Sequence, residues 1–499
     1  MTMHTTTLAP FTGQPLGRVP HCTAAGAART FDEARRAQRL WARRPVRERA
    51  AVLRRVHELV LRLHEEALDL IQLESGKARK DAFEEVVDVA LTAWYYGRHA
   101  RALLRPRRRR GALPGFTHTV EHRHPRGVVG VIAPWNYPLT FALCDALPAL
   151  VAGNAVVCKP DLQGTLTAVW ARDLLRRAGL PPGLFRLVTG PGDEAGPLVV
   201  DHSDYVCFTG SPATGRTVAA SAGRRLVGCT LELGGKNALI VLRDADVPRA
   251  ADGAVRACFA NAGQLCMSAE RVLVHESLYP AFLETFTART RSLRLGAALD
   301  YSTDMGSLVS PAHLRTVDAH VRDALDKGAR LITGGRPRPD LGPCFYEPTI
   351  LTGVTEDMTV DGREVFGPVA SVRPVRDEDD AVRHANTGPY GLNASIWTRD
   401  AARGRRLARR VRAGTVNINE PYAAAYSSLD APMGGMGESG LGRRHGREGI
   451  LAYTEAQTIA TQRLLPLQAP PRVPQHLYAR AARRLLLAAA RRPAWPTDR

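Results

Sequence analysis

The chain has 499 residues, of which 44% are hydrophobic, and a formal net charge of +19 at pH 7. A chain of this length is too long for one hydrophobic core and has enough apolar residues for two or three domains. It lacks the run of about 18 apolar residues that a transmembrane helix needs, and residues 1–17 do not resemble a secretory signal. We therefore expect a globular protein that is not integral to a membrane.

The 8 cysteines are scattered along the sequence, without a Cys-x-x-Cys pair or histidines at the spacing of metal ligands. This pattern argues against a zinc site and against a disulfide framework, so we predict no metal site. Free thiols remain usable in a reducing compartment, and the pattern therefore favours a cytoplasmic location.

The excess positive charge lies mainly in residues 105–110 and 480–492. Neither segment has the interleaved aromatic residues or the reader fold of a nucleic-acid-binding module, so we do not expect nucleic acid as a partner. We interpret these arginines as solvated surface. An anionic substrate or a phosphorylated cofactor is the only ligand that the charge would favour.

Predicted helices and strands alternate along the chain. Between residues 30 and 97, apolar side chains recur at helical spacing and predict amphipathic helices that cover a sheet formed later. An alternating pattern predicts an exposed strand, and short apolar runs predict buried strands, the first of them buried on both faces. The exposed strand is at 117–123 and the buried ones are at 128–132, 155–158, 185–188 and 205–208.

The segment that follows residue 208 has the features of a helix start. Ser211 is a suitable N-cap and Pro212 suits the first helical position. Gly210 and Gly215 leave the N–H groups of the helix start accessible, which suits a pyrophosphate. The segment alone is equally compatible with an ordinary capped helix, but the strand–helix repetition before it favours an anion site.

A second α/β unit begins after Lys236, with predicted strands at 239–242 and 272–274. Because both halves alternate strands and helices, we predict an α/β fold with parallel sheets. The glycine-rich stretch 432–442 predicts a close backbone passage at a domain junction.

Beyond residue 466, a basic amphipathic helix could contact an anionic membrane or a partner, although we expect it to pack on its own protein.

Two segments suggest catalysis. Cys266 ends the stretch Phe-Ala-Asn-Ala-Gly-Gln-Leu-Cys, where small and uncharged neighbours leave a thiol accessible, and Glu232 precedes Gly234 and Gly235. Each segment alone is compatible with a simpler interpretation, a buried cysteine or the end of a strand. Taken together they offer a nucleophile and a base.

With Pro134-Trp135-Asn136-Tyr137-Pro138 and Glu364-Val365-Phe366-Gly367-Pro368-Val369, these segments make the chain resemble the NAD(P)-dependent aldehyde dehydrogenase superfamily from about Arg18 to about Gln462. The resemblance implies two Rossmann-like parallel-sheet α/β domains, a small oligomerisation hairpin, and a homodimer or homotetramer. The implied parts are a cofactor-binding domain (1–112 and 131–234), oligomerisation strands (113–130 and 454–466), a catalytic domain (235–433), a return segment (434–453) and a basic tail (467–499).

The resemblance also implies a mechanism. Oxidation of an aldehyde needs a tetrahedral carbon from which a hydride can leave, and Cys266 would create it by nucleophilic addition. Asn136 and the backbone N–H of Cys266 would stabilise the oxyanion. Glu232 would then activate the water that hydrolyses the thioester. Enzymes of the family that pass the acyl group to coenzyme A generally lack this glutamate, so its presence favours hydrolysis. A non-catalytic protein on the same fold is a distant alternative, which the presence of both Cys266 and Glu232 disfavours.

The cofactor contacts carried over from the family are Trp135, Asn136, Lys159, Leu162, Gly210, Ser211, Pro212, Leu233, Glu364 and Phe366. Lys159 would bind the adenine ribose, and Glu364 would bind the nicotinamide ribose. Enzymes of the family that prefer NAD often carry a glutamate where this chain has Leu162. We therefore predict NADP or NAD as the cofactor, with NADP slightly favoured.

Within the family, the chain most resembles bacterial NADP-dependent succinate-semialdehyde dehydrogenases, which predicts oxidation of succinate semialdehyde to succinate. Better-understood enzymes of that group place arginines where this chain has Cys144 and Ala260, and most of the family carries lysine where this chain has Asp145. Carboxylate recognition would then fall to Ser427 or Ser428. A neutral aliphatic or aromatic aldehyde is the alternative substrate.

Overall fold

The computed structural model describes residues 3–110, 117–463 and 468–490. The strands in these ranges are β1 (His4–Leu8), β2 (Pro15–Pro20), β3 (Arg107–Arg109), β4 (Thr117–Pro125), β5 (Val128–Ala133), β6 (Ala155–Pro160), β7 (Phe185–Leu187), β8 (Tyr205–Thr209), β9 (Gly228–Glu232), β10 (Asn237–Val241), β11 (Ala269–His275), β12 (Arg330–Thr333), β13 (Thr349–Thr352), β14 (Val369–Val375), β15 (Asn393–Trp397), β16 (Thr415–Ile418), β17 (Gly440–Leu441) and β18 (Thr454–Gln462).

The α-helices in the same ranges are α1 (Ala24–Ala42), α2 (Val46–Arg62), α3 (His64–Ser75), α4 (Arg79–Leu104), α5 (Pro138–Leu143), α6 (Ala146–Ala152), α7 (Thr165–Arg177), α8 (Gly192–His202), α9 (Pro212–Arg224), α10 (Val247–Phe259), α11 (Tyr279–Arg291), α12 (Pro311–Asp326), α13 (Thr359–Gly362), α14 (Glu378–Ala385), α15 (Ala401–Ala408), α16 (Ala423–Tyr426), α17 (Gly446–Leu451) and α18 (Gln475–Ala490). Short 3₁₀ turns occur at Leu162–Gly164, Ala260–Gly263 and Gly437–Ser439.

The first large sheet has the strand order β17-β9-β8-β5-β6-β7, and its five longer strands run parallel. The four apolar runs predicted as strands are β5 to β8, so those predictions are confirmed. The predicted helices between residues 30 and 97 are α1 to α4, which share one core with β5 and β6. This core covers the sheet and fixes its carboxyl edge, where open α/β sheets bind ligands.

The second large sheet has the order β12-β13-β14-β11-β10-β15-β16 and confirms the second α/β unit. Its strands run parallel except β12, which pairs antiparallel with β13. The first sheet likewise carries an antiparallel edge strand, β17 against β9. The prediction of parallel sheets is therefore right for the central strands and wrong at these two edges. A single short pairing at an edge does not need the helical crossover that parallel neighbours require.

A third sheet has the order β18-β4-β3 and contains the exposed strand predicted at 117–123. Part of the arginine-rich segment forms β3, which pairs with β4 and keeps its side chains half-exposed or exposed; Arg109 also forms an ion pair of 2.6 Å with Glu121 on β4. The outer strand β18 is almost wholly exposed, with 49% of the Ile459 side chain accessible. This sheet therefore presents an uncovered edge and face.

The C-terminal helix α18 stands apart from the cores. Leu477, Leu486 and Leu487 are each more than half exposed, so the expectation that the tail packs on its own protein is wrong for the single chain over residues 468–490. No helix in the described ranges has the length and apolar content needed to cross a bilayer.

Candidate active site

The loop that precedes Cys266 has an unusual backbone. Asn261, Ala262 and Gly263 are consecutive left-handed residues, with φ of 50°, 53° and 72°. A Cβ on Gly263 would lie 2.0 Å from the carbonyl oxygen of Gly367, so only glycine fits there. Non-glycine residues in this region are strained and persist only where the surroundings hold them.

Hydrogen bonds hold this loop in place. The backbone N–H of Asn261 donates to Asp81 at 3.0 Å, and the side-chain oxygen of Gln264 accepts from the Val309 N–H at 2.9 Å. After the loop, the Asn237 side-chain amide donates to the carbonyl oxygen of Cys266 at 2.7 Å. The thiol is thus carried by a rigid segment.

Cys266 itself is half-buried beside an apolar cluster formed by Met267, Leu392, Tyr422 and Met433. Burial raises the pKa of its thiol to about 12, and the negative charges of Glu232 and Glu364 act in the same direction. In this state the thiol is protonated at neutral pH, so a base must take its proton before it can add to a carbonyl.

Glu232 is the last residue of β9 and is buried. Its Oε1 atom has no hydrogen-bond partner among the described residues. Burial raises the pKa of this carboxyl to about 7, while the charge of Arg444 opposes that rise. A carboxyl poised near neutral pH can both accept and release a proton, as a general base must.

Asn136 lies just after β5, and its side-chain amide donates to the carbonyl oxygen of Gln264 at 3.0 Å. The backbone carbonyl oxygen of Asn136 accepts from Lys77 Nζ at 2.6 Å and from the Asn261 side chain at 3.2 Å. The structure therefore brings the predicted oxyanion donor next to the loop that carries Cys266.

The segment around Ser211 begins a helix with a side-chain cap, as the sequence predicted. Its role in phosphate binding stays a prediction. Ser211 is the N-cap of α9 and accepts from the Thr214 N–H at 3.3 Å, with Pro212 in the first turn. The N–H of Gly210 donates to the carbonyl oxygen of Glu232 at 3.1 Å. This bond ties the start of α9 to the strand that carries the predicted base.

Two further cofactor candidates lie at the carboxyl edge of the same sheet. Trp135 follows β5, and Lys159 is buried in β6. Gly215 allows a close approach of α9, because a Cβ there would lie 2.6 Å from Leu233. Leu162 begins a half-buried 3₁₀ turn, so an apolar side chain occupies the position that the sequence singled out.

Glu364 and Phe366 reach the site from the second sheet. Glu364 accepts the N–H of Gly235 at 2.9 Å, and burial raises its pKa to about 8, with the nearby Glu270 charge adding to the effect. The Phe366 ring lies 5.6 Å from the Trp135 ring. The predicted cofactor residues of the two large sheets thus lie close to one another.

The sequence analysis missed Arg444. Its Nη2 atom lies 2.5 Å from Asp145 Oδ2 and donates to Thr209 Oγ1 at 2.7 Å. Asp145, which stands where most of the family carries lysine, is therefore paired with a cation. The two residues are 299 positions apart, so no local pattern in the sequence indicates the pair.

The positions that the sequence analysis associated with substrate recognition have mixed character. Cys144 donates to Asp88 at 3.0 Å, and Ala260 packs against the apolar cluster beside Cys266. Ser427 and Ser428 are exposed, and Ser428 donates to the carbonyl oxygen of Ala424. A cavity of about 230 Å³ adjoins Ala260 and is lined by Lys80, Asp81, Glu84, Val255, Arg256, Phe259, Leu293, Asp304 and Tyr422.

Comparisons with known proteins agree with this geometry. The profile of the Aldehyde dehydrogenase family matches residues 2–459. A Mycobacterium tuberculosis protein, provisionally named an NADP-dependent succinate-semialdehyde dehydrogenase, is 53% identical over 94% of this chain and 91% of its own length. The Deinococcus radiodurans NADP-dependent succinate-semialdehyde dehydrogenase is 37% identical over 91% of this chain and 94% of its own. The solved structure of Staphylococcus aureus betaine aldehyde dehydrogenase with NAD⁺ superposes with a TM-score of 0.86, at 30% identity, over 92% of this chain and 91% of that one.

Proposed function

Because the chain belongs to the aldehyde dehydrogenase family, we propose that it oxidises an aldehyde to a carboxylic acid with NADP or NAD, using Cys266, Glu232 and Asn136. The observation that carries this proposal is the hydrogen bond from Asn136 to Gln264, which sets an amide donor beside the Cys266 loop. A non-catalytic role for the same fold would not require that arrangement.

The first step is addition of the Cys266 sulfur to the aldehyde carbon. Since the pKa of the thiol is raised to about 12, its proton passes to a base as the bond forms. Glu232 and Glu364 are the two carboxylates whose charges act on this thiol, and we assign Glu232 as the base. The carbonyl oxygen becomes an oxyanion. The side chain of Asn136 and the N–H of Cys266 donate to it, and one such donor is typically worth about 3–4 kcal/mol.

The dinucleotide, when bound, supplies the hydride acceptor. The residues fit such a group, because Gly234 lets the carboxylate of Glu364 approach the backbone beside Leu233: a Cβ on Gly234 would lie 2.1 Å from a Glu364 oxygen. Lys159 and Glu364 would hold the two riboses, and Trp135, Gly210, Ser211 and Pro212 would surround the pyrophosphate. Leu233 and Phe366 would lie beside the nicotinamide.

The last step hydrolyses the thioester on Cys266. The proton that Glu232 took from Cys266 first passes to solvent. Glu232 then accepts a proton from a water molecule as the water oxygen attacks the acyl carbon, and it gives that proton to the sulfur as the carbon–sulfur bond breaks. A carboxyl with its pKa raised to about 7 suits this task near neutral pH. The product is a carboxylic acid rather than an acyl-coenzyme A.

We propose NADP as the preferred cofactor, with NAD also accepted. Leu162 brings no negative charge to repel a 2′-phosphate, and both relatives described above are named NADP-dependent. NAD is retained as the second cofactor because the Staphylococcus aureus enzyme was solved with NAD⁺ bound.

Succinate semialdehyde is the first substrate candidate, supported by the names of the two relatives. Lys80 and Arg256 line the cavity next to Ala260, but Asp81, Glu84 and Asp304 line it as well, so the charge of this cavity does not favour a carboxylate. A neutral aldehyde is the second candidate. It is favoured by Cys144 and Ala260 at the two expected arginine positions.

We also propose that the protein is a homodimer or homotetramer in the cytoplasm. The uncovered strand β18 offers an edge for pairing with a second copy. All eight cysteines lie within the described residues and are free thiols, as expected in a reducing compartment.

Initial rates of NADPH and NADH formation, measured with succinate semialdehyde and with pentanal, test this proposal. A preference for the semialdehyde that is lost in Arg256→Ala would assign the cavity as its carboxylate site. A preference for pentanal would favour the neutral-aldehyde alternative. No reduced cofactor with either aldehyde, from folded protein that binds the cofactor, would count against the function itself, and formation of an acyl-coenzyme A would count against hydrolysis.

A further inference from the structure

We propose that Arg444 is a positioning residue for the base: its guanidinium, anchored by Asp145 and Thr209, provides a fixed positive charge that favours the ionised form of the Glu232 carboxylate between turnovers. This inference rests on the proposed function, because it assigns Arg444 a part in the reaction that uses Glu232. Arg444 does not contact the substrate in this proposal and acts only through Glu232.

Arg444 is anchored from several sides. It lies between β17 and α17, its side chain is 13% exposed, and that of Asp145 is 4% exposed. One oxygen of Asp145 lies 2.5 Å from the guanidinium, and the other accepts from the Tyr453 hydroxyl at 3.3 Å. The guanidinium also lies over the Phe141 ring, 5.1 Å from its centroid. An arginine held in this way cannot swing toward solvent.

Glu232 is held next to the same segment. Its backbone pairs with Gly440 of β17, only four residues before Arg444. The Glu232 Oε1 atom and the Arg444 Nε atom are both buried without a hydrogen-bond partner among the described residues. A buried donor and a buried acceptor that both lack partners favour a direct or water-bridged contact when the carboxylate is charged.

The charged groups that face Glu232 are Arg444, Asp145 and Arg443. Burial raises the pKa of Glu232, Asp145 adds to the rise, and the two arginines oppose it, with Arg444 the stronger of them. The effect is mutual. Burial alone would lower the pKa of Arg444, but Asp145 and Glu232 raise it above its usual range. The guanidinium of Arg444 is thus acted on by two carboxylates, that of Asp145 and that of Glu232.

The identity of the cation limits what it can do. Arginine does not release its proton in proteins, whereas lysine can. Arg444 can stabilise the charge of Glu232 but cannot take up its proton. Glu232 must therefore exchange its proton with water.

The test uses Arg444→Gln in the full chain, with Arg444→Lys as the conservative variant and Arg447→Gln as a matched control. Arg447 lies three residues further on and is not among the groups that shift Glu232. We measure the pH dependence of turnover and the burst of reduced cofactor, together with the melting temperature. Arg444→Gln should move the acidic limb of the turnover profile up by about one pH unit or more and keep a burst at high pH. Arg444→Lys should restore most of the wild-type limb.

The inference is overturned if folded Arg444→Gln keeps the wild-type acidic limb, or if Arg447→Gln shifts it equally. It is also overturned if Arg444→Gln shifts the limb of the residual turnover in a Glu232→Gln background, because the effect would then not pass through Glu232. Should Arg444→Gln fail to fold, Thr209→Val removes one anchor of the guanidinium and should give a smaller upward shift; no shift would contradict the inference. Inactive wild-type protein would instead count against the proposed function.

Discussion

The side-chain amide of Asn136 donates to the carbonyl oxygen of Gln264 across 3.0 Å, which joins the end of β5 to the loop of the other half of the chain that carries Cys266. The two residues are 128 positions apart. Neither half alone therefore contains a complete candidate site.

Asn136→Ala should lower the turnover number by roughly a hundredfold to a thousandfold, as loss of one oxyanion donor does elsewhere. Steady-state kinetics with the better aldehyde give this number. Cofactor affinity and melting temperature should stay close to those of the wild type. A loss of turnover that follows only from a lower melting temperature would argue for a structural role of Asn136.

Cys266→Ala should abolish turnover and leave cofactor binding unchanged, because the thiol supplies the covalent bond to the substrate. Fluorescence titration with NADPH and the absorbance assay measure the two properties. Cys22→Ala changes another half-buried free thiol and is the control that should keep full activity. Turnover in Cys266→Ala would refute the covalent mechanism.

Activity should fall as the pH is lowered through about 7, because burial raises the pKa of Glu232 to about that value and only the ionised form accepts a proton. Glu232→Gln should form the acyl-enzyme slowly and should hydrolyse it only at a small residual rate. Mass spectrometry of the intact protein would detect the trapped acyl group. The rate of thioester hydrolysis in the wild type is measured against pH. If this rate does not fall near pH 7, Glu232 is not the base for hydrolysis.

Leu162→Glu should reduce kcat/KM with NADP at least tenfold relative to NAD, since a carboxylate would repel the 2′-phosphate and bind the ribose hydroxyl. Leu162→Gln is the matched control, because it changes shape and polarity without charge. An equal change of the NADP to NAD ratio in both variants would mean that charge at this position does not select the cofactor.

Gly263→Ala should destabilise the protein by more than about 1 kcal/mol and lower activity as well, because φ is +72° and the new Cβ would lie 2.0 Å from the Gly367 carbonyl oxygen. Gly223→Ala is the control. It lies in α9 with no atom within 4 Å of the added Cβ, so it should be neutral or slightly stabilising. Thermal unfolding of both variants compares the two sites.

The parts of the fold that the sequence predicted are those with a strong local signal. The strand β5 is a continuous run of small and branched apolar residues, and the start of α9 has both an N-cap and a proline, so pattern alone was sufficient. The hairpin of β1 and β2 was not predicted, because the sequence His-Thr-Thr-Thr-Leu of β1 has no apolar alternation.

The candidate site was predictable where one segment carries the chemistry and unpredictable where two distant segments meet. Cys266 and Glu232 stand in recognisable local sequences. The pair of Asp145 and Arg444 does not, because each residue gains its meaning only from a partner 299 positions away. The left-handed geometry of Asn261 and Ala262 was equally hidden, since neither residue type requires it.

The position of β17 has a consequence for the order in which the protein is made. Gly440 and Leu441 pair with Glu232 and Leu231 at the edge of a sheet whose other strands are complete by residue 232. During translation, the ribosome must therefore add some 200 further residues before β17, the outer neighbour of β9, emerges. We expect a nascent chain released before that point to hold a nearly finished first sheet with an open edge, and to be prone to aggregation rather than partly active.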